Sequence, residues 1–239
     1  MRVGRARLNV ADGVPAAWVE KLVKEVAAKK VSGRILKEMV RYPAPPGWSG
    51  ETVLKVYGRR PKHNLVRLLS VSRVTLEGAG YMAFMERGLS VPKLVLWGEA
   101  RRFRLFEFGI LMTVRIDAPS VAEAYAATRE SELLFAMAEE LGVIHKAGLA
   151  HGDPFARNFL ATRPRPTPLD FASWRPLEKA TQAKDLTRFA CSMLKLTDNV
   201  EQTAELLRHY ERSGVTLPVS TDDLIERAIA YSKKKVIRA

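Results

Sequence analysis

His151-Gly152-Asp153-Pro154-Phe155-Ala156-Arg157-Asn158, followed by Leu169-Asp170-Phe171, is the stretch whose reading decides the fold. It places an aspartate, an asparagine five positions later and a second aspartate after a short connector. Asp153 supplies a carboxylate able to receive a proton. Asn158 and Asp170 supply oxygen donors suited to a hard divalent cation. The connector between them begins just after the strand-like Phe159-Leu160-Ala161.

The spacing of Asp153 and Asn158 is that of the H-x-D-x-x-x-x-N loop, and Asp170-Phe171 stands where D-F-G stands in kinase-like phosphotransferases. Phosphoryl transfer asks a protein for positioning and charge more than for covalent chemistry. Taken alone, His-Gly-Asp is equally explained by a buried histidine and a capping aspartate. Further features in the right order make it specific. Val53-Leu54-Lys55-Val56-Tyr57 sets a lysine among apolar strand residues, where a buried ammonium needs a partner. Lys55 on an edge strand would instead snorkel to water. Glu77 on the following helix is the expected partner, with Glu86 as the alternative. Asp185, in Lys184-Asp185-Leu186, is placed to accept N–H bonds from the catalytic loop, or to cap its own helix.

Working outward, residues 15–30 read as an amphipathic helix after Pro15, with Trp18, Val19, Leu22, Val23 and Val26 at helical spacing. Lys21, Lys24, Lys29 and Lys30 form its basic side. Such a helix either packs on a sheet or lies on an anionic bilayer. Residues 33–42 and 51–58 read as strands around the turn-rich 43–50. Residues 72–87 read as a helix despite Gly78 and Gly80, and 93–98 and 103–114 as strands. After Pro119 the pattern turns helical: 120–147 as one helix, then 183–196, 200–212 and 221–236. The expectation is an α+β, two-lobed, protein-kinase-like fold. Residues 1–116 form a strand-rich, basic N-lobe that covers the nucleotide. Residues 117–239 form a helical C-lobe with the catalytic loop, metal site and acceptor site.

The chain has 239 residues and a formal net charge of +13. Residues 1–116 hold 22 Lys/Arg against 9 Asp/Glu, and residues 117–239 hold 17 of each. The whole excess lies before the catalytic loop, which favours an anionic partner. Cys191 is the one cysteine, which excludes a disulfide framework and a cysteine-based zinc site. No apolar run approaches the roughly 18 residues of a membrane span, and the first residues lack a signal core. A cytoplasmic protein is expected. Nucleic acid is a poor candidate partner, because the basic half lacks interleaved aromatics, zinc ligands and a recognition helix.

The chain resembles the lipopolysaccharide kinase family, which phosphorylates Kdo or heptose of the lipid A–core, over roughly residues 33–196. The likeness rests on Val53-Leu54-Lys55-Val56-Tyr57; on Glu77 through Gly88-Leu89-Ser90-Val91-Pro92; on Leu141-Gly142-Val143-Ile144-His145; and on His151-Gly152-Asp153, Asn158, Leu169-Asp170-Phe171 and Lys184-Asp185-Leu186. A glutamate eleven positions before Gly88 selects Glu77 over Glu86. The resemblance implies ATP and Mg2+. Asp153 would be the base, Lys55 and Glu77 would serve the nucleotide phosphates, and the backbone of Val114, Arg115 and Ile116 would serve adenine. Asn158 and Asp170 would hold the metal, and His151 and Asp185 would be structural supports. It implies an anionic glycolipid or sugar acceptor and peripheral placement on an anionic membrane, at the cytoplasmic face of the inner membrane. Departures are plain. No G-x-G-x-x-G precedes Lys55, with Gly47 and Gly50 the compositional candidates for that turn. Asp170-Phe171-Ala172 lacks the D-F-G glycine, and no A-P-E follows. Rival readings are a non-catalytic kinase-like binding module, a protein kinase, and another small-molecule kinase.

Overall fold

The computed structural model describes residues 1–31, 37–58 and 70–236. The chain divides into two compact units, Met1–Met82 with Pro92–Ile116, and Ala83–Val91 with Asp117–Ala239.

The first unit is built on a six-stranded antiparallel sheet of order β1-β2-β5-β6-β4-β3. Its strands are β1 (Arg2–Val3), β2 (Ala6–Val10), β3 (Lys37–Pro43), β4 (Glu51–Gly58), β5 (Leu94–Arg102) and β6 (Leu105–Val114). Residues 33–36 of the expected 33–42 strand lie outside the described residues. The period of two along a strand explains how the sheet carries a helix on each face. Leu54 and Val56 of β4, Leu96 of β5, and Ile110 and Met112 of β6 point to one face. There they pack with Val19, Leu22, Val23 and Val26 of α1 (Ala16–Val31). Each of those four side chains contributes roughly 1.5–3 kcal/mol by leaving water. Trimming Leu22 to alanine would cost about 2–5 kcal/mol. Lys21 and Lys24, on the helix's other side, are exposed. The apolar stripe at residues 18–26 is therefore core.

The alternate residues face α2 (Arg73–Glu86). Gly78, a poor helix residue on propensity, has a packing reason: a Cβ there would lie 2.2 Å from the Trp97 ring. Gly109 likewise admits Val74, whose Cγ1 would lie 2.3 Å from an added Cβ. Small residues let helix and sheet approach closely.

The strands at 2–10 were not anticipated. The alternation of buried Ala6 and Leu8 with exposed Arg7 and Asn9 is their signal, and a dense run of arginines disguises it.

The second unit is mostly helical: α3 (Val121–Thr128), α4 (Ser131–Lys146), α5 (Lys179–Thr197), α6 (Val200–Tyr210) and α7 (Thr221–Val236). The single helix expected over 120–147 is two. Ser120 and Glu123 form a reciprocal capping box that starts α3. Arg129 ends it in the left-handed region at φ 59°, its N–H donating to the Tyr125 carbonyl. A non-glycine residue in that conformation gives the sequence no breaker signal. Leu134, Met137, Ala138, Leu141 and Ile144 bury the inner face of α4. Helix α5 begins four residues earlier than its apolar pattern suggests, because Glu178 and Thr181 cap it. Four short strand pieces position the loops: β7 (Leu149–Ala150) pairs with β10 (Arg175–Pro176), and β8 (Phe159–Leu160) pairs with β9 (Thr167–Pro168). Among the described residues no helix is long and apolar enough to cross a membrane.

Candidate active site

In the first unit, the strand alternation that buries Leu54 and Val56 under α1 turns Lys55 and Tyr57 towards α2. Lys55 Nζ lies 2.6 Å from Glu77 Oε1. The Tyr57 hydroxyl donates to Glu77 Oε2. Glu77 is fully buried, so both its oxygens need partners, and both have one. Glu86 is exposed in the other unit. Sequence reasoning gave Tyr57 no role. Its place two residues after Lys55, on the same strand face, was the available signal.

Val114 N–H donates to the Lys93 carbonyl and Arg115 N–H to the Glu51 carbonyl, each at 2.8 Å. The Arg115 guanidinium also meets Glu51 Oε2 at 2.9 Å. These two amides are therefore committed within the sheet. Gly47 and Gly50 take positive φ of 82° and 86° in a turn between β3 and β4. The Lys93 ammonium sits 4.0 Å over the Trp48 ring in the same turn.

In the second unit, β7 delivers the chain into His151-Gly152-Asp153. Asn158 Nδ2 donates to the Asp153 carbonyl at 2.8 Å and to Asp153 Oδ2 at 3.0 Å. Arg157 Nη2 reaches the same Oδ2 at 3.2 Å. With the Asn158 amino group so engaged, its carbonyl oxygen is the atom offered outward. The hairpin β8–β9 then returns the chain, and Leu169 N–H donates to the Asn158 carbonyl at 2.8 Å. Asp170 thus follows a residue bonded to Asn158, across a connector of ten residues. Asp170 itself is held at φ 61°, a conformation an aspartate adopts at some strain.

Three contacts from elsewhere in the unit hold this loop. Asp185 accepts the Gly152 N–H at 2.9 Å through Oδ1 and 3.2 Å through Oδ2. Its Oδ2 also lies 3.3 Å from His145 Nε2, whose other nitrogen meets the Tyr210 hydroxyl at 2.8 Å. Ser192 Oγ accepts the Ala156 N–H at 3.0 Å. Ser192 and His145 went unnoticed as supports because a serine or histidine within an apolar helix carries no sequence signal of its target.

His151 is fully buried against Phe159, stacked at 5.1 Å, and near Phe171 at 5.4 Å; Phe84 packs on Phe171 at 4.2 Å. Burial holds the His151 pKa below its usual value, against the pull of Asp185, Asp153 and Asp170. The ring is therefore neutral. Its Nδ1 accepts the Asp153 N–H at 3.3 Å, so the proton sits on Nε2, which has no hydrogen-bond partner.

Gly152 has φ 84°, and a Cβ there would meet the Ser173 carbonyl oxygen at 2.0 Å. The turn Phe171–Ser173 lies directly on the glycine. No side chain fits, which accounts for glycine between His151 and Asp153.

Among the described residues no group of three or more His, Cys, Asp or Glu could cage a metal. One carboxylate and one amide oxygen suit Mg2+ instead, which takes few protein ligands and completes its shell with water and phosphate oxygens.

No curated protein matches the chain in sequence. The chain is similar to the solved structure of WaaP in complex with acyl carrier protein, at 16% identity and TM-score 0.61, over 97% of this chain and 98% of that one. It is also similar to the Rio2 kinase–ADP/Mg2+-phosphoaspartate complex from Chaetomium thermophilum, at 15% identity and TM-score 0.51, over 97% of this chain and 82% of that one. These likenesses show a protein-kinase-like α+β fold. The family model described as lipopolysaccharide kinase (Kdo/WaaP) matches residues 53–210, more than half of the chain and every residue singled out above from Lys55 to Asp185. The chain belongs to the lipopolysaccharide kinase (Kdo/WaaP) family and is a phosphotransferase.

Proposed function

We propose that the protein transfers the γ-phosphoryl group of ATP to a sugar hydroxyl of an anionic glycolipid of the lipopolysaccharide core. The observation that carries the reading is the Asp153–Asn158 pair, tied to Asp170 through the Leu169–Asn158 bond. Asp153 accepts the proton of the acceptor hydroxyl on Oδ1, the oxygen that Asn158 and Arg157 leave open. The hydroxyl oxygen forms the new P–O bond as the bond from γ-phosphorus to the bridging oxygen breaks and ADP departs. Mg2+, when bound, neutralises charge on the phosphate oxygens, and the Asn158 Oδ1 and Asp170 carboxylate are the groups to hold it. Lys55, fixed by Glu77 and Tyr57, contacts the α- and β-phosphates. The carbonyls of residues 113–116 accept from the adenine amino group, since Val114 and Arg115 N–H are committed. The exposed Lys21 and Lys24 support a basic surface that favours an anionic membrane.

Incubation with ATP, Mg2+ and a panel of lipid A–core acceptors, read by mass spectrometry, tests this. Gain of one phosphate on an acceptor is expected. ADP release without acceptor phosphorylation across the panel would sink the acceptor class.

A further inference from the structure

A cavity of about 130 Å³ opens in the second unit beside the catalytic loop. Its wall includes Gly152, Ser173, Arg175, Thr181, Lys184 and Arg188. At roughly 30 Å³ per water it holds about four waters, the scale of a phosphate or carboxylate group. Thr181, Lys184 and Arg188 recur at three- and four-residue spacing, so α5 presents them on one face. Three of the lining side chains are cations. Among the described residues none of the three forms an ion pair. Asp185 also lines the cavity. Its carboxylate is already engaged by the Gly152 N–H and His145, so it is directed to the loop and not to the cations. Arg188 Nε is buried without any hydrogen-bond partner. A buried guanidinium N–H left unmatched is costly, and like charges four residues apart on a helix repel. An anion in the cavity relieves both.

We propose that this cavity is an oxyanion subsite that receives a phosphate or carboxylate group carried by the acceptor. The acceptor is then recognised by a charge it already bears, at a cavity walled by Gly152, the residue before Asp153. This rests on the glycolipid-kinase reading. It adds a selectivity element in the second unit, although that unit has no net basic excess in its sequence.

Two measurements on the full chain test it. The first is titration with inorganic phosphate followed by 31P NMR. Saturable binding is expected, weakened about tenfold or more in Arg188→Gln and in Lys184→Gln. It should be unchanged in the combined Lys21→Gln, Lys24→Gln variant, which removes exposed charge of the first unit. The exposed Lys184 keeps the test valid if Arg188→Gln misfolds. Binding that ignores the α5 variants, or that falls equally with Lys21 and Lys24, overturns the proposal. The second compares an acidic acceptor with its neutral methyl ester. In Lys184→Gln the KM for the acid should rise about tenfold while the ester's KM and the KM for ATP stay put. If phosphate binding is lost but both acceptors keep their KM, the anion is not the acceptor's and the proposal fails. Absence of turnover on either acceptor, with phosphate binding still sensitive to Arg188 and Lys184, sinks the functional reading and not the oxyanion site.

Discussion

Asn158 donates twice to Asp153, once to its backbone carbonyl and once to its carboxylate. One amide therefore fixes both the loop's turn and the orientation of the proposed base, while leaving its own side-chain oxygen available. Asp153→Asn removes the proposed base and keeps the shape. The kcat should fall by about 10²–10⁴-fold, with ATP affinity by equilibrium binding little changed. Retention of more than about a tenth of the wild-type kcat would remove Asp153 from the proton path.

Lys55 and Glu77 touch at 2.6 Å with Glu77 buried. Removing one member leaves the other uncompensated, so single losses contain the same missing contact. The Lys55→Met and Glu77→Gln double variant should be little worse in kcat/KM than the worse single. Losses that simply add would show that the pair does not work as a unit. Tyr57→Phe, which strips one hydrogen bond from Glu77, should give a smaller loss in the same parameter.

Gly152 is held at φ 84° with the Ser173 carbonyl where a side chain would go. Gly152→Ala must move the Phe171–Ser173 turn or the loop itself. A stability loss of about 1–3 kcal/mol is expected, visible as a lowered denaturation midpoint, with a drop in turnover. A variant as stable and active as the wild type would mean that the turn yields freely.

The candidate site was legible as far as its contacts are local. Spacing alone pointed to Asp153 and Asn158, which the structure brings together, and Lys55 between apolar strand residues pointed to a buried partner, which is Glu77. What the sequence hides is the reach of contacts across the chain. Ser192 and Tyr210 look like core helix residues, yet they bond to Ala156 and His145 from 36 and 65 positions away. The fold was legible where one periodicity dominates, as in α1 and β4. It was not where a conformation lacks its usual residue. Arg129 breaks the long helix in a left-handed cap without glycine, and β2 carries its alternation under arginines. The glycines misled in the other direction. Gly78 weakens the helix on propensity, and the Trp97 ring shows why it is there.

Glu140 offers a test that needs no substrate. It sits on α4 with Oε2 buried and without a partner. Burial pushes its pKa from 4.5 up to about 7, opposed by the Arg165 charge. Below its ordinary pKa the carboxyl is protonated in both the folded and unfolded chain, and burial of the neutral acid carries little penalty. As pH rises through this window the unfolded chain releases the proton first. Stability contributed by the protonated acid is therefore lost between about pH 4.5 and 7, on the order of 3 kcal/mol by that shift. His151 works in the opposite sense. Its pKa is depressed by burial, so its contribution is lost as pH falls below its ordinary range. The wild-type profile mixes the two, and Glu140→Gln separates them. The variant should gain stability over wild type at about pH 8, match it near pH 4, and leave only the rise with pH that His151 produces. Denaturant midpoints across that range measure the difference. A difference between variant and wild type that does not change with pH would show that Glu140 keeps its charge when folded.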